Sequence, residues 1–292
     1  MGRALRQFVE NPSRHVLLKR ARDICAERGG GASIMSEAKR GVRDMQIFKG
    51  WLGRKKHMPS VPEDTRVYVV GDVHGCLDLL NRLLDKISQN AASAPSNRVL
   101  VFVGDYVDRG PNSSGVVECL LSLRDGFKSH FLLGNHDQAL LDFLKDPLFY
   151  RVWKTYGAQE TLLSYGVKPP RFDDAQTLDQ IQLEFAAAFP PEHRKFFERL
   201  ESSFEIGDYF ITHAGVRPGV PLAAQSKEDQ LWIRDAFLSS GANFGKVVVH
   251  GHTPSATPVR RHNRIGIDTG AYATGRLTAL VLEGTRCGFL ES

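Results

Sequence analysis

The sequence predicts an α/β fold, and three observations carry that reading. Between Arg66 and Asp146 an apolar run, a polar loop and a helix-spaced stretch follow one another three times, the rhythm of strand–loop–helix units. Residues 146–204 break the rhythm and read as an inserted helical cap. Short β-like runs return after it. With 292 residues, 42% hydrophobic and 24% charged, the chain can bury a sizeable core. Collagen-like, disulfide-scaffold and fully disordered classes are excluded by the same figures. No run of about eighteen apolar residues is present to span a membrane as a helix.

The first unit opens with Val67-Tyr68-Val69-Val70, a short buried strand, and its loop reads Gly71-Asp72-Val73-His74-Gly75. Leu79, Leu80, Leu83, Leu84 and Ile87 then recur at helical spacing over residues 77–88. The second strand covers residues 99–103 and ends in Gly104-Asp105-Tyr106-Val107-Asp108-Arg109-Gly110-Pro111; a helix follows through Val116, Val117, Leu120 and Leu121. The third, Phe131-Leu132-Leu133, ends in Gly134-Asn135-His136-Asp137 before another helix. Pro169-Pro170 and Pro190-Pro191 punctuate the cap. Beyond it, residues 209–212 end at His213, and residues 247–249 end at His250-Gly251-His252. Residues 264–268 and 277–282 are expected to pair with each other. No internal repeat is present.

The first 60 residues are a different text. They hold 14 lysines and arginines against 5 acids, a net of +9, so the remaining residues carry −4 of the chain's +5. The basic character belongs to this extension, which Gly29-Gly30-Gly31 interrupts; it is expected to be loosely ordered, with one domain over residues 61–292. Met35 and Met45 are alternative starts. Ile47, Phe48, Trp51 and Leu52 sit at helical spacing among basic residues, a pattern that can lie on a membrane surface but more often docks on its own domain. Val16-Leu17-Leu18 is too short for a signal-peptide core. Four scattered cysteines without CxxC spacing point to reduced thiols and a cytoplasmic protein. No nucleic-acid partner is expected.

Taken singly, the polar loops say little: an Asp-x-His after a strand is more often a capped turn than a metal site. Their conjunction is informative. Five loops offer Asp72 and His74, Asp105 and Asp108, Asn135 and His136, His213, and His250 with His252, which is half of the ten histidines. Oxygen and imidazole donors converging at strand ends suit two divalent ions such as Mn²⁺, Fe or Zn²⁺. Asp72 and His74 flank one residue and can face one ion. Asp105 can bridge two ions about 3.5–4 Å apart. Asn135 adds a neutral oxygen to the second ion, and the later histidines complete that ion's set of ligands. Such a pair clamps a phosphate and activates a water for in-line attack. His136, next to Asn135, is placed to protonate a leaving oxygen, with Asp108 orienting its imidazole. Arg109 offers a cationic fork for phosphoryl oxygens, and Arg234 is a second candidate, although a helix-surface ion pair would equally account for it.

GDVHG (71–75), GDYVDRG (104–110), GNHD (134–137), THAG (212–215) and HGHTP (250–254) occur in the order found in calcineurin-like metallophosphoesterases. Over residues 66–282 the chain resembles their phosphoprotein phosphatase branch. The resemblance implies a central β-sandwich flanked by helices, with two metals at its edge. It makes Asp72, His74 and Asp105 the ligands of the first metal, and Asp105, Asn135, His213 and His252 those of the second. It makes His136 the general acid, Asp108 its partner, and Arg109 and Arg234 phosphate-binding arginines, with His250 outside the ligand set. GNHD, where eukaryotic members usually have GNHE, and TLLSYG (161–166) resemble bacterial and phage members. The implied activity is that of a serine/threonine protein phosphatase acting on phosphoproteins or phosphorylated small molecules. The alternative is a symmetrical diadenosine tetraphosphate hydrolase, disfavoured by Asp108 and by His-Thr in GHTP. A non-catalytic phospho-binding module is disfavoured because every ligand and acid position is filled. The oligomeric state is not legible.

Overall fold

The computed structural model describes residues 58–123 and 126–292. The basic segment 1–57, with the amphipathic stretch at 47–52 and both alternative starts, lies outside the described residues.

Val67 to Val70 have no polar face because the strand Thr65–Val70 (β1) is covered on both sides. It leads into the helix Leu77–Ala91 (α1), whose Leu79, Leu80, Leu83 and Ile87 are buried as their spacing requires. Strand Asn97–Phe102 (β2), helix Ser113–Ser122 (α2), strand Lys128–Phe131 (β3) and helix Asn135–Lys145 (α3) follow. The third strand thus starts earlier than its apolar run. Leu132 still donates to the Phe102 carbonyl at 2.9 Å, so the extended chain carries on to the site.

Helices Tyr150–Trp153 (α4), Ala158–Ser164 (α5), Ala175–Ala188 (α6) and Pro191–Glu198 (α7) come next. Their Trp153, Leu162 and Phe185 share one apolar core with Leu80, Leu83 and Leu140 of α1 and α3. The inserted segment is therefore helical, and it extends the helical layer on the sheet. Strands Ser203–Ile206 (β4) and Tyr209–Thr212 (β5), the short helices Lys227–Trp232 (α8) and Asp235–Leu238 (α9), and strands Val247–His250 (β6), Val259–Arg260 (β7) and Arg264–Gly266 (β8) follow. Helix Ala271–Thr274 (α10) and strands Thr278–Glu283 (β9) and Arg286–Glu291 (β10) end the chain.

The strands form two five-stranded sheets, ordered β10-β9-β1-β2-β3 and β4-β5-β6-β8-β7. Within them β1, β2 and β3 run parallel, as do β5, β6 and β8. The two-residue period divides the apolar side chains. Val67, Val69, Val99 and Val101 meet Ile211, Val249 and Ile265 between the sheets. Tyr68, Val70, Leu100 and Phe102 face the helices, while Phe210 and Val248 face Val216, Ile233 and Phe237 on the far side. The described residues form an α/β sandwich with helices outside both sheets.

The expected pairing of 264–268 with 277–282 does not occur. β8 pairs with β6 and β7, and β9 pairs with β1 and β10. Apolar alternation is the same for any partner. The choice lies in the connection, where Gly270 (φ 64°) and Gly275 (φ 69°) bracket α10 and carry the chain from one sheet to the other. Among the described residues no helix is long and apolar enough to cross a membrane.

Candidate metal centre

Parallel strands place their carboxyl ends on one edge, so β1, β2, β5 and β6 deliver Asp72 and His74, Asp105, His213 and His252 together; the chain beyond β3 adds Asn135 and His136 at the start of α3. The loops are strained. Of six non-glycine residues with positive φ among the described residues, five are His74, Asp105, Asp108, Arg109 and His252. Each such conformation costs roughly 1–3 kcal/mol, and its clustering marks a functional edge. Two glycines make the approach possible: a Cβ on Gly134 would collide with Asp105, and one on Gly251 with the Asp72 carboxylate. Asp137 holds the loops in register, its carboxylate accepting from the backbone N–H groups of Asp105, Tyr106 and Gly134.

Asp105 lies at the centre. Its Oδ2 is 3.6 Å from His74 Nε2, 3.5 Å from His213 Nε2 and 3.9 Å from His136 Nε2, while Oδ1 accepts from the His136 N–H at 3.0 Å. Burial would raise its pKa, but His213, His136, His74 and His252 outweigh burial and hold the carboxyl below the usual range.

The donor set calls for cations. A carbonyl only accepts, so His74 Nδ1 carries the proton it gives to the Val107 oxygen (2.9 Å), and His213 Nδ1 the one it gives to Val103 (2.9 Å). Both Nε2 atoms then present lone pairs. His213 Nε2 faces the Asn135 Oδ1 at 2.9 Å, acceptor against acceptor, and His74 Nε2 lies 3.6 Å from Asp105 Oδ2 and accepts from Arg109. Burial keeps these rings neutral, pushing His74 down to about 3, His252 down to about 2 and His213 down as well; neutral imidazole is the ligating form. His252 Nδ1 lies 2.8 Å from the same Asn135 oxygen. Asp72 Oδ1 and His252 Nε2 are buried without a protein partner, and burial, then Asp268 and Asp105, push Asp72 well above its ordinary pKa. His74, Asp105 and His136 form one compact group of metal-capable atoms, and Asp105, His213 and His252 a second. The residues fit two divalent ions sharing Asp105.

Beside them stands a buried His–Asp pair. His136 Nδ1 lies 2.7 Å from Asp108 Oδ2. Burial lowers the His136 pKa, but Asp105 and the bonded Asp108 more than reverse that and raise it. Asp108 is fully buried, and burial raises it despite its donors. Those donors went unforeseen. Trp153 Nε1 gives to both oxygens (3.1 and 2.9 Å), and Thr161, in the TLLSYG stretch, gives to Oδ1 at 2.7 Å. Thr161 lies in a stretch that the sequence singles out; Trp153 carries no such signal.

Arg109 donates to His74 Nε2 at 3.0 Å and lies 4.7 Å over the Tyr272 ring. Arg234 is exposed and donates to Thr253 Oγ1 at 3.4 Å, with no acidic partner among the described residues; its charge is felt by His213 and His252. His250 turns to the outer layer, its ring 5.0 Å from Phe237, and burial pushes it down to about 4. Asp268, read only as a strand residue, is buried beside Asp72.

A two-sheet sandwich with Asp, His and Asn donors gathered at the carboxyl edge of its parallel strands defines a metal-dependent phosphoric ester hydrolase. The chain belongs to the calcineurin-like phosphoesterases, whose family model matches residues 65–277. Similar proteins include the asymmetrical bis(5'-nucleosyl)-tetraphosphatase PrpE of Anoxybacillus flavithermus, 28% identical over 230 residues, covering 73% of this chain and 88% of that protein. The same-named protein of Bacillus thuringiensis is 29% identical, with the same coverage. Among solved structures, one provisionally named a diadenosine tetraphosphatase (24% identity, TM-score 0.55) covers 81% of this chain and 99% of its own. The cold-active protein-tyrosine phosphatase of a psychrophilic Shewanella (17% identity, TM-score 0.52) covers 80% and 82%. Both solved structures share the fold.

Proposed function

We propose that the chain hydrolyses phosphomonoesters, phosphoserine and phosphothreonine in proteins foremost, with two Mn²⁺ ions at Asp72, His74, Asp105, Asn135, His213 and His252. The observation that supports this most is the buried Asp108–His136 pair at 2.7 Å, directly beside Asp105. A serine or threonine alkoxide leaves poorly, and a positioned imidazolium answers that need. Two divalent ions, when bound, supply charge for the phosphoryl oxygens and acidify a water. Asp108 fixes the proton-bearing face of His136; His136 Nε2 points at the centre and protonates the leaving oxygen. Arg109 and Arg234 bind phosphoryl oxygens. Three free cysteines among the described residues suit a reducing cytoplasm.

The relatives favour a second reading, cleavage of dinucleoside tetraphosphates. Their names specify asymmetrical cleavage, which replaces the symmetrical alternative suggested by the motifs. One experiment separates the readings: turnover of a phosphoserine peptide and of diadenosine tetraphosphate with Mn²⁺, products resolved by chromatography. Released phosphate from the peptide, at a kcat/KM well above that for the dinucleotide, supports the first. AMP plus ATP as the dominant products supports the second, and two ADP would restore symmetrical cleavage.

A further inference from the structure

We propose that Asp268 belongs to the reaction centre on the side of the entering water: its carboxylate accepts a hydrogen bond from the water that attacks phosphorus and aims the oxygen lone pair. This rests on the hydrolase reading above.

The placement comes from backbone contacts. Ile267 N donates to the His250 carbonyl at 2.9 Å, which sets Asp268 level with Gly251 and His252. From the other sheet Gly71 approaches so closely that a Cβ on it would lie 2.6 Å from the Ile267 carbonyl oxygen. Asp72 and Asp268 therefore each follow one of two backbones in contact. Asp268 is 3% exposed, and its Oδ1 accepts from Gly270 N at 2.8 Å. An asparagine would serve that turn as well, so the local backbone does not account for a buried acid here.

Strand order gives the side. In the first sheet β1, β2 and β3 are successive neighbours and lead to Asp72, Asp105 and His136. In the second, β5, β6 and β8 are successive and lead to His213, His252 and Asp268. His213 bonds to Val103 beyond β2, His252 N–H bonds to Asp72, and Gly71 touches Ile267. These contacts align the two rows. His136 then stands at one end, Asp268 at the other, and Asp105 between them. In-line displacement puts the entering and leaving oxygens on opposite sides of phosphorus. If His136 serves the leaving oxygen, Asp268 faces the entering one.

The step balances without a further reactant. The water oxygen bonds to phosphorus, the bond to the leaving oxygen breaks with its electron pair, and His136 gives that oxygen its proton. The dihydrogen phosphate formed returns one proton through solvent to His136.

The test uses the full chain loaded with Mn²⁺ and the variant Asp268→Asn, which keeps an acceptor for Gly270. We expect kcat to fall about 10²-fold, alike on p-nitrophenyl phosphate and a phosphoserine peptide, because misplacing an attacking group costs about that much. Two metal equivalents by elemental analysis, and inorganic-phosphate affinity by calorimetry within about threefold, should be retained. A kcat within about threefold of the parent overturns the proposal, as does loss of metal or a defect confined to the peptide. If Asp268→Asn fails to fold in a thermal melt, Asp268→Ser, which also keeps an acceptor, takes the same readouts. A parent chain inactive on both substrates overturns the hydrolase reading and this proposal together; an active parent with an equally active variant overturns this proposal alone.

Discussion

At the scale of single residues the proposed mechanism turns on one proton. Burial lowers the His136 pKa, but Asp105 and the bonded Asp108 raise it above its ordinary value, and in the proposed mechanism the protonated form is the acid. Activity on alkyl phosphates should therefore be full below that raised pKa and fall as pH rises through it. Asp108→Asn removes one of the raising charges, so the falling limb should move to lower pH, read from kcat against pH. His136→Asn should lose roughly 10²–10⁴-fold on a phosphoserine peptide and clearly less on p-nitrophenyl phosphate, whose leaving group needs no proton. Equal losses on both would make His136 a ligand or positioner. That alternative is concrete, because Nε2 lies 3.9 Å from Asp105 Oδ2. Arg109→Ala should harm both substrates alike, since a phosphate clamp serves every monoester. Asp105→Asn should lose both metals while the fold persists; two equivalents retained by elemental analysis would sink the bridging assignment.

At the scale of elements, the helical insertion does more than cover the sheet. α4 and α5 bring Trp153 and Thr161 to Asp108, and the Gly157 carbonyl accepts from Arg109 N at 3.2 Å. The expectation is that Trp153→Phe, which keeps most of the packing but deletes the donor, weakens the peptide reaction more than the p-nitrophenyl phosphate reaction. A uniform loss on both would assign Trp153 to packing alone. The sandwich interior is a separate matter. Leu280 of β9 is fully buried between the sheets, where it pairs with Val69 of β1. Leu280→Ala should cost about 2–5 kcal/mol, visible as a lower urea midpoint, with kcat preserved in the absence of denaturant.

At the scale of the whole molecule, the described domain contains every residue assigned to the centre, and no motif precedes Asp72. Deleting residues 1–44 should leave kcat/KM within about twofold. Insoluble protein or lost metal after the deletion would show that the segment is part of the domain.

What the sequence by itself determined is the α/β class, the strand–loop–helix rhythm, and which polar residues, from Asp72 to His252, stand in the loops at the strand ends. These were legible because each depends on local order: an apolar run, then a chemically distinctive loop within a few residues. Tertiary structure decided what depends on distant segments meeting. It put β8 and β9 in different sheets although both runs alternate in the same way. It brought Trp153 and Thr161, 45 and 53 positions along the chain, onto Asp108, and it set Asp268 beside Asp72. No periodicity encodes such encounters. They follow from how two twisted sheets stack and from which backbones glycine lets approach, as at Gly71, Gly134 and Gly251.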